Sequence, residues 1–89
     1  MHFVRNAEYA TGYRLLLTFE DDTVRLANLE AHLDGEVFEP LRDIEYFRSF
    51  RVNPELDTVV WPNGADFSPD FLYEIGQPVS RAWAVAERP

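Results

Sequence analysis

The chain has 89 residues, 8 basic and 16 acidic, for a formal net charge of −8 and an isoelectric point near 4.5. That length holds one domain near the lower limit for a self-sufficient core, and 46% hydrophobic with 15% aromatic residues is too rich for a disordered acidic tail. Without cysteine or lysine there are no disulfides, thiolate or Cys-zinc sites and no Schiff-base or P-loop chemistry, and the negative charge argues against direct nucleic-acid binding.

The first residues, Met1 to Asn6, lack the basic-then-apolar order of a signal peptide. The longest apolar runs, Leu15-Leu16-Leu17 and Val59-Val60-Trp61, are too short to span a membrane, so the expected location is the cytoplasm. A weakly alternating strand is expected over 3–7. A clearer one covers 14–19, with Leu15, Leu17 and Phe19 on one face and Arg14, Leu16 and Thr18 on the other. Glu20-Asp21-Asp22 makes a tight turn into a strand over 23–27, with Val24 and Leu26 on one face. Asn28 is an N-cap for a short helix carrying Leu29 and Leu33, stopped at Gly35.

Asp43 caps a second helix from Ile44 to about Ser49, its Ile44 and Phe47 facing the sheet. A second hairpin pairs 51–53 with 58–61 around Pro54-Glu55-Leu56-Asp57. The last helix carries the fullest set of signals: Ser68 as N-cap, Pro69 at N1, Asp70 in the first turn, and a Phe67–Leu72 staple. Gly76 is expected at its C′ position, with Pro78 preventing continuation. The class is α+β: a small antiparallel sheet of two hairpins plus an N-terminal strand, with two or three short helices. One domain over 1–76 and a C-terminal tail over 77–89 follow. In the tail Val79, Ala82, Trp83 and Ala86 recur at helical spacing, a stripe suited either to a partner's groove or to self-packing of Trp83 on the sheet.

Little of this carries chemistry. His2 sits at a terminus, where chains usually fray, and His32 beside Glu30, Asp34 and Glu36 matches no ligand spacing. Glu20-Asp21-Asp22 reads as a turn rather than a calcium loop. None of Ser49, Ser68 and Ser80 stands in a nucleophile-elbow motif. Catalytic residues, cofactors and metal ligands are therefore expected to be none. Trp61-Pro62-Asn63-Gly64-Ala65-Asp66 is the densest stretch. As a rigid corner it needs Trp61 packed, Gly64 at positive φ and Asp66 tying the loop. As a binding patch it would present Trp61, Asn63 and Asp66, together with Trp83 of the tail.

The runs F-E-D-D-T at 19–23, V-F-E-P-L-R-D at 37–43, R-V at 51–52, T-V-V-W-P-N-G-A-D at 58–66 and P-D-F-L-Y at 69–73 occur in that order. In this the sequence resembles the bacterial family catalogued as domain of unknown function 2442, and W-P-N-G-A-D is the most specific part of the likeness. The resemblance implies an α+β fold with no established activity, cofactor or active site. It also implies that many members are encoded beside another small protein, as in toxin–antitoxin-like or regulatory pairs. Longer members append a helix-turn-helix, for which this chain has no matching residues. Where the family tends to have glycine, this sequence has Asp22 and Asp57, which predicts positive φ at one or both.

The resulting expectation is a non-enzymatic interaction or regulatory module, antitoxin-like, whose acidic surface meets a basic small protein. The alternative is a small ligand- or metal-binding domain or enzyme with a site around Asp66 and Asn63 and the acids of the first hairpin. Aromatic surface and a hairpin edge make a homodimer the third option.

Overall fold

In a computed structural model of the chain, residues 1–80 are described. The tail residues Ala82, Trp83 and Ala86 lie outside them. Three strands, β1 (Val4–Tyr9), β2 (Arg14–Phe19) and β3 (Val24–Asn28), form an antiparallel meander. The hairpin of β4 (Arg51–Asn53) and β5 (Thr58–Val60) makes a second sheet of its own. Two short helices, α1 (Ile44–Phe47) and α2 (Pro69–Ile75), and two 3₁₀ turns, Glu30–His32 and Glu39–Arg42, complete the α+β fold. Residues 77–78, expected to begin the tail, instead form β6 (Gln77–Pro78) and extend the main sheet to the order β1-β2-β3-β6.

β2 shows the alternation its sequence requires. Leu15, Leu17 and Phe19 are fully buried in the core with Val4, Ala27, Phe47, Trp61 and Leu72. β1 alternates weakly because its register shifts between Val4 and Asn6, leaving an extra residue at Arg5. In β3 the core side is the one the sequence does not advertise: Arg25 pairs with Leu17 and Ala27 with Leu15, so Val24 and Leu26 face outward with Thr18 and Leu16.

The turns hold as expected. Asp22 lies at φ 66° and Asp57 at φ 58°, both in the left-handed region expected of them. Asn53 Oδ1 accepts from the Glu55 N–H at 2.8 Å and so closes the second hairpin. Asn28 Oδ1 takes the Glu30 N–H at 3.1 Å, but the expected N-cap is displaced: the element is a single 3₁₀ turn whose cap position is Leu29, without a side-chain cap, and Leu29 and Leu33 are buried on either side. α1 also ends early, at Phe47, with Asp43 accepting from the Glu45 N–H at 3.1 Å.

α2 has its Ser68 cap on the Phe71 N–H at 3.5 Å, Pro69 at the start, and both staple residues buried. Gly76 ends it in an extended conformation, φ −72° and ψ 137°, rather than a left-handed one. The reason for glycine there is space: a Cβ would stand 2.9 Å from Arg25 Cβ and 2.9 Å from the Leu72 carbonyl oxygen.

Candidate functional site

The W-P-N-G-A-D corner is built from its backbone outward. The Trp61 N–H donates to the Ala65 carbonyl at 2.9 Å and the Gly64 N–H to the Trp61 carbonyl at 2.9 Å, a closed turn that needs Gly64 at φ 87°. Asn63, not Asp66, ties the loop. Its Oδ1 accepts from the Ala65 N–H at 3.1 Å and its Nδ2 donates to the Val37 carbonyl at 2.9 Å. Trp61 is 2% exposed. Its ring packs between Phe47 and Phe67, at centroid distances of 5.8 and 5.9 Å, and its Nε1–H donates to the Phe47 carbonyl at 2.8 Å. Asp66 is exposed, and its carboxylate makes no hydrogen bond or ion pair among the described residues. Of the expected patch, then, the turn brings Trp61, Asn63 and Asp66 together in sequence but turns the indole inward. Trp83 lies outside the described residues.

Asn63 links this corner to the 30–45 connection. Glu30, Asp34, Glu36, Glu39, Asp43 and Glu45 are all exposed there, with Arg42 the one arginine of the segment. Arg42 pairs with Asp34 at 2.6 Å and donates through Nε to the Leu33 carbonyl at 2.8 Å. The Arg42 carbonyl accepts from the Tyr13 hydroxyl. Leu29, Leu33 and Leu41, all buried, pin the segment to the core, so its carboxylates project from a fixed backbone. Val37 stands among them at 48% exposure. His32 is exposed, and its ring meets Phe71 edge to face at a centroid distance of 5.0 Å.

A third constellation gathers residues that no sequence spacing groups. His2 does not fray: its ring stacks on Tyr73 at 3.5 Å, its backbone N–H donates to Asp70 at 2.7 Å and its Nδ1 meets Glu20 at 3.0 Å. The Arg25 guanidinium lies 3.6 Å over the Tyr73 ring and donates through Nη1 to the Tyr73 and Gly76 carbonyls at 3.2 and 3.1 Å. The phenol is thus sandwiched between the His2 imidazole and the planar Arg25 guanidinium, and Arg25 serves the open carbonyls at the end of α2.

The Phe3 N–H, at 2.7 Å, and then His2 hold the Glu20 carboxyl below its ordinary range. The Thr23 hydroxyl and N–H, helped by the Tyr73 hydroxyl, bring Asp21 down to about 2. Ligand atoms of His2, Glu20 and Asp21 lie within 4.8 Å of one another, close enough to hold a metal ion together. A groove of about 290 Å³ opens beside this cluster, lined by Met1, Phe3, Leu56, Ser68 and Asp70 among others.

The signal for this cluster was hidden because it joins the second residue to a turn and to a helix 68 positions away. Arg25 was equally hidden, an arginine on the core face of a strand. Among known proteins, no curated protein and no solved structure matches this chain. The family described as "Protein of unknown function (DUF2442)" matches over residues 4–78, from the first residue of β1 to the last of β6, and the chain belongs to that family.

Proposed function

We propose that this protein is a non-enzymatic interaction module, an antitoxin-like or regulatory partner of a small basic protein, and that it binds through the 30–45 connection. The observation that carries this reading is the acidic display: six carboxylates (Glu30, Asp34, Glu36, Glu39, Asp43, Glu45) on a backbone pinned by buried leucines, with Arg42 as the only arginine among them. Preorganised like charge raises the association rate with a partner of opposite sign and costs little ordering entropy on binding. Val37, exposed and lying between Glu36 and Glu39 in the chain, supplies the apolar contact that charge alone lacks. Asn63 and the Trp61 indole N–H are occupied by the fold, and Asp66 has no partner side chain among the described residues with which to form a reactive pair, which favours a surface over a reactive centre.

The test is affinity purification from the native cell with mass spectrometry, followed by titration of the purified partner at increasing salt. A basic partner whose affinity falls steeply with salt is the expected result. A salt-insensitive partner, or turnover of a small-molecule substrate, would overturn it.

The second reading, a small metal- or ligand-binding domain, has support at a different place from Asn63 and Asp66: the His2, Glu20 and Asp21 atoms gathered within 4.8 Å. A thermal shift on adding manganese or zinc that disappears in His2→Ala would favour it.

A further inference from the structure

The groove of about 290 Å³ beside the His2 cluster gathers apolar surface that the rest of the described chain buries. Four large hydrophobic side chains stand exposed among the described residues, and three of them, Met1, Phe3 and Leu56, line this groove. Exposed apolar residues scattered singly need no explanation, but three on one concavity do. Leu56 is the decisive one. It stands in the turn of the second hairpin, where glycine, proline and small polar residues prevail, and is 52% exposed. The turn fixes it there: its N–H donates to the Asn53 carbonyl at 3.1 Å, and the Asp57 N–H to the same carbonyl at 2.8 Å.

The walls of the groove are tied to one another. The His2 N–H donates to Asp70 at 2.7 Å, the Phe3 N–H to Glu20 at 2.7 Å and the Val4 N–H to the Asp57 carbonyl at 2.8 Å. Walls held this way lose little freedom when something binds. The volume is at the floor for a small-molecule pocket and suits one large side chain. Charge then selects its bearer. The lining carries Asp57 and Asp70 and no arginine, and neither aspartate takes part in an ion pair among the described residues. A second copy would bring the same two aspartates and another net charge of −8.

We propose that this groove receives one large apolar side chain of a partner protein, carried between lysines or arginines. The proposal rests on the reading of the protein as an interaction module, but not on the 30–45 connection. The two surfaces flank α2: Asp70 lines the groove, and the next residue, Phe71, meets His32 of the connection. Acidic display attracts the partner, and the groove supplies the apolar anchor point that gives a contact its lifetime.

The test is a titration of the full-length chain, labelled with nitrogen-15, by three blocked peptides at physiological salt: leucine between pairs of arginines, serine between pairs of arginines, and leucine between pairs of glutamates. The leucine–arginine peptide should shift the amides of Phe3, Leu56, Asp57 and Asp70 and saturate near about 1 mM. The serine peptide reads charge alone and should leave those four amides nearly still, as should the glutamate peptide. Leu56→Asn, which suits an exposed turn, should weaken the leucine peptide about fivefold, and Asp57→Asn, which keeps a residue tolerant of positive φ, about twofold. The variant with Glu30, Glu36, Glu39 and Glu45 all changed to Gln should still show the groove shifts. Their loss in that variant would assign the binding to the connection and overturn the groove, while leaving the proposed function standing. Still amides at the groove, equal shifts from the serine peptide, or groove shifts that appear on concentrating the protein alone, and so report a second copy, would also overturn it.

Discussion

At Trp61–Asp66 and at Glu30–Glu45 the chain makes two connections rich in polar residues, and they use those residues in opposite ways. The corner, Asp66 apart, spends its polar side chains on the fold: Asn63 holds Ala65 and Val37, and the Trp61 indole holds Phe47. The connection keeps its carboxylates exposed, with Asp34 paired to Arg42 and Asp43 capping α1, and buries leucines to hold the backbone still. The difference teaches that the densest motif of a sequence can be a folding device, while the acidic display on which the proposed function rests lies in a stretch whose residue order looks unremarkable.

The comparison can be broken most forcefully at the corner. Trp61→Ala should cost about 3–5 kcal/mol, enough to unfold much of so small a domain, whereas Glu39→Gln should stay within about 0.5 kcal/mol; urea unfolding followed by circular dichroism separates the two. Gly76→Ala comes next. Its methyl group would meet Arg25 Cβ and the Leu72 carbonyl, and overpacking of this kind costs about 1–3 kcal/mol, read as a lower urea midpoint.

Acid sharpens the contrast at the first hairpin. Asp21 and Glu20 are held below their ordinary values of 3.8 and 4.5, Asp21 down to about 2. The fold therefore favours their charged forms, and their contribution is complete above those ordinary values. It is lost as pH falls toward about 2. The melting temperature should drop across that window, and Thr23→Val, which removes the hydroxyl holding Asp21, should flatten the drop. The smallest effect is Asp57→Gly, which relieves a positive φ of 58° and should stabilise by about 0.5 kcal/mol, less the chain entropy that glycine adds to the unfolded state.

Much of this fold was legible because local and tertiary demands agree. β2 puts Leu15, Leu17 and Phe19 on the core side as its spacing requires, although Leu16 on the other side is buried too, and α2 has its cap, proline, acidic first turn and staple in order. What escaped reading did so for identifiable reasons. The shift at Arg5 breaks the period of β1. Arg25 occupies a core-facing position because its guanidinium stacks on Tyr73 and bonds carbonyls of α2, which a polarity pattern scores as an outward residue. Gly76 reads as a left-handed cap until the close approach of Arg25 is known. The His2 cluster depends on contacts between distant parts of the chain and has no local signature. At the candidate site, the composition gave the acidic charge but not its location on a pinned segment, since the burial of Leu29, Leu33 and Leu41 is a tertiary fact.

The central claim, that the connection works while the corner holds the fold, meets its most direct test in a stopped-flow measurement of partner association. The comparison sets the native chain against the fourfold variant Glu30→Gln, Glu36→Gln, Glu39→Gln, Glu45→Gln. The account predicts an unchanged unfolding midpoint with an association rate lower by about tenfold or more. An association rate equal to that of the native chain, or a rate lost only when Asp66→Asn is introduced, would contradict it.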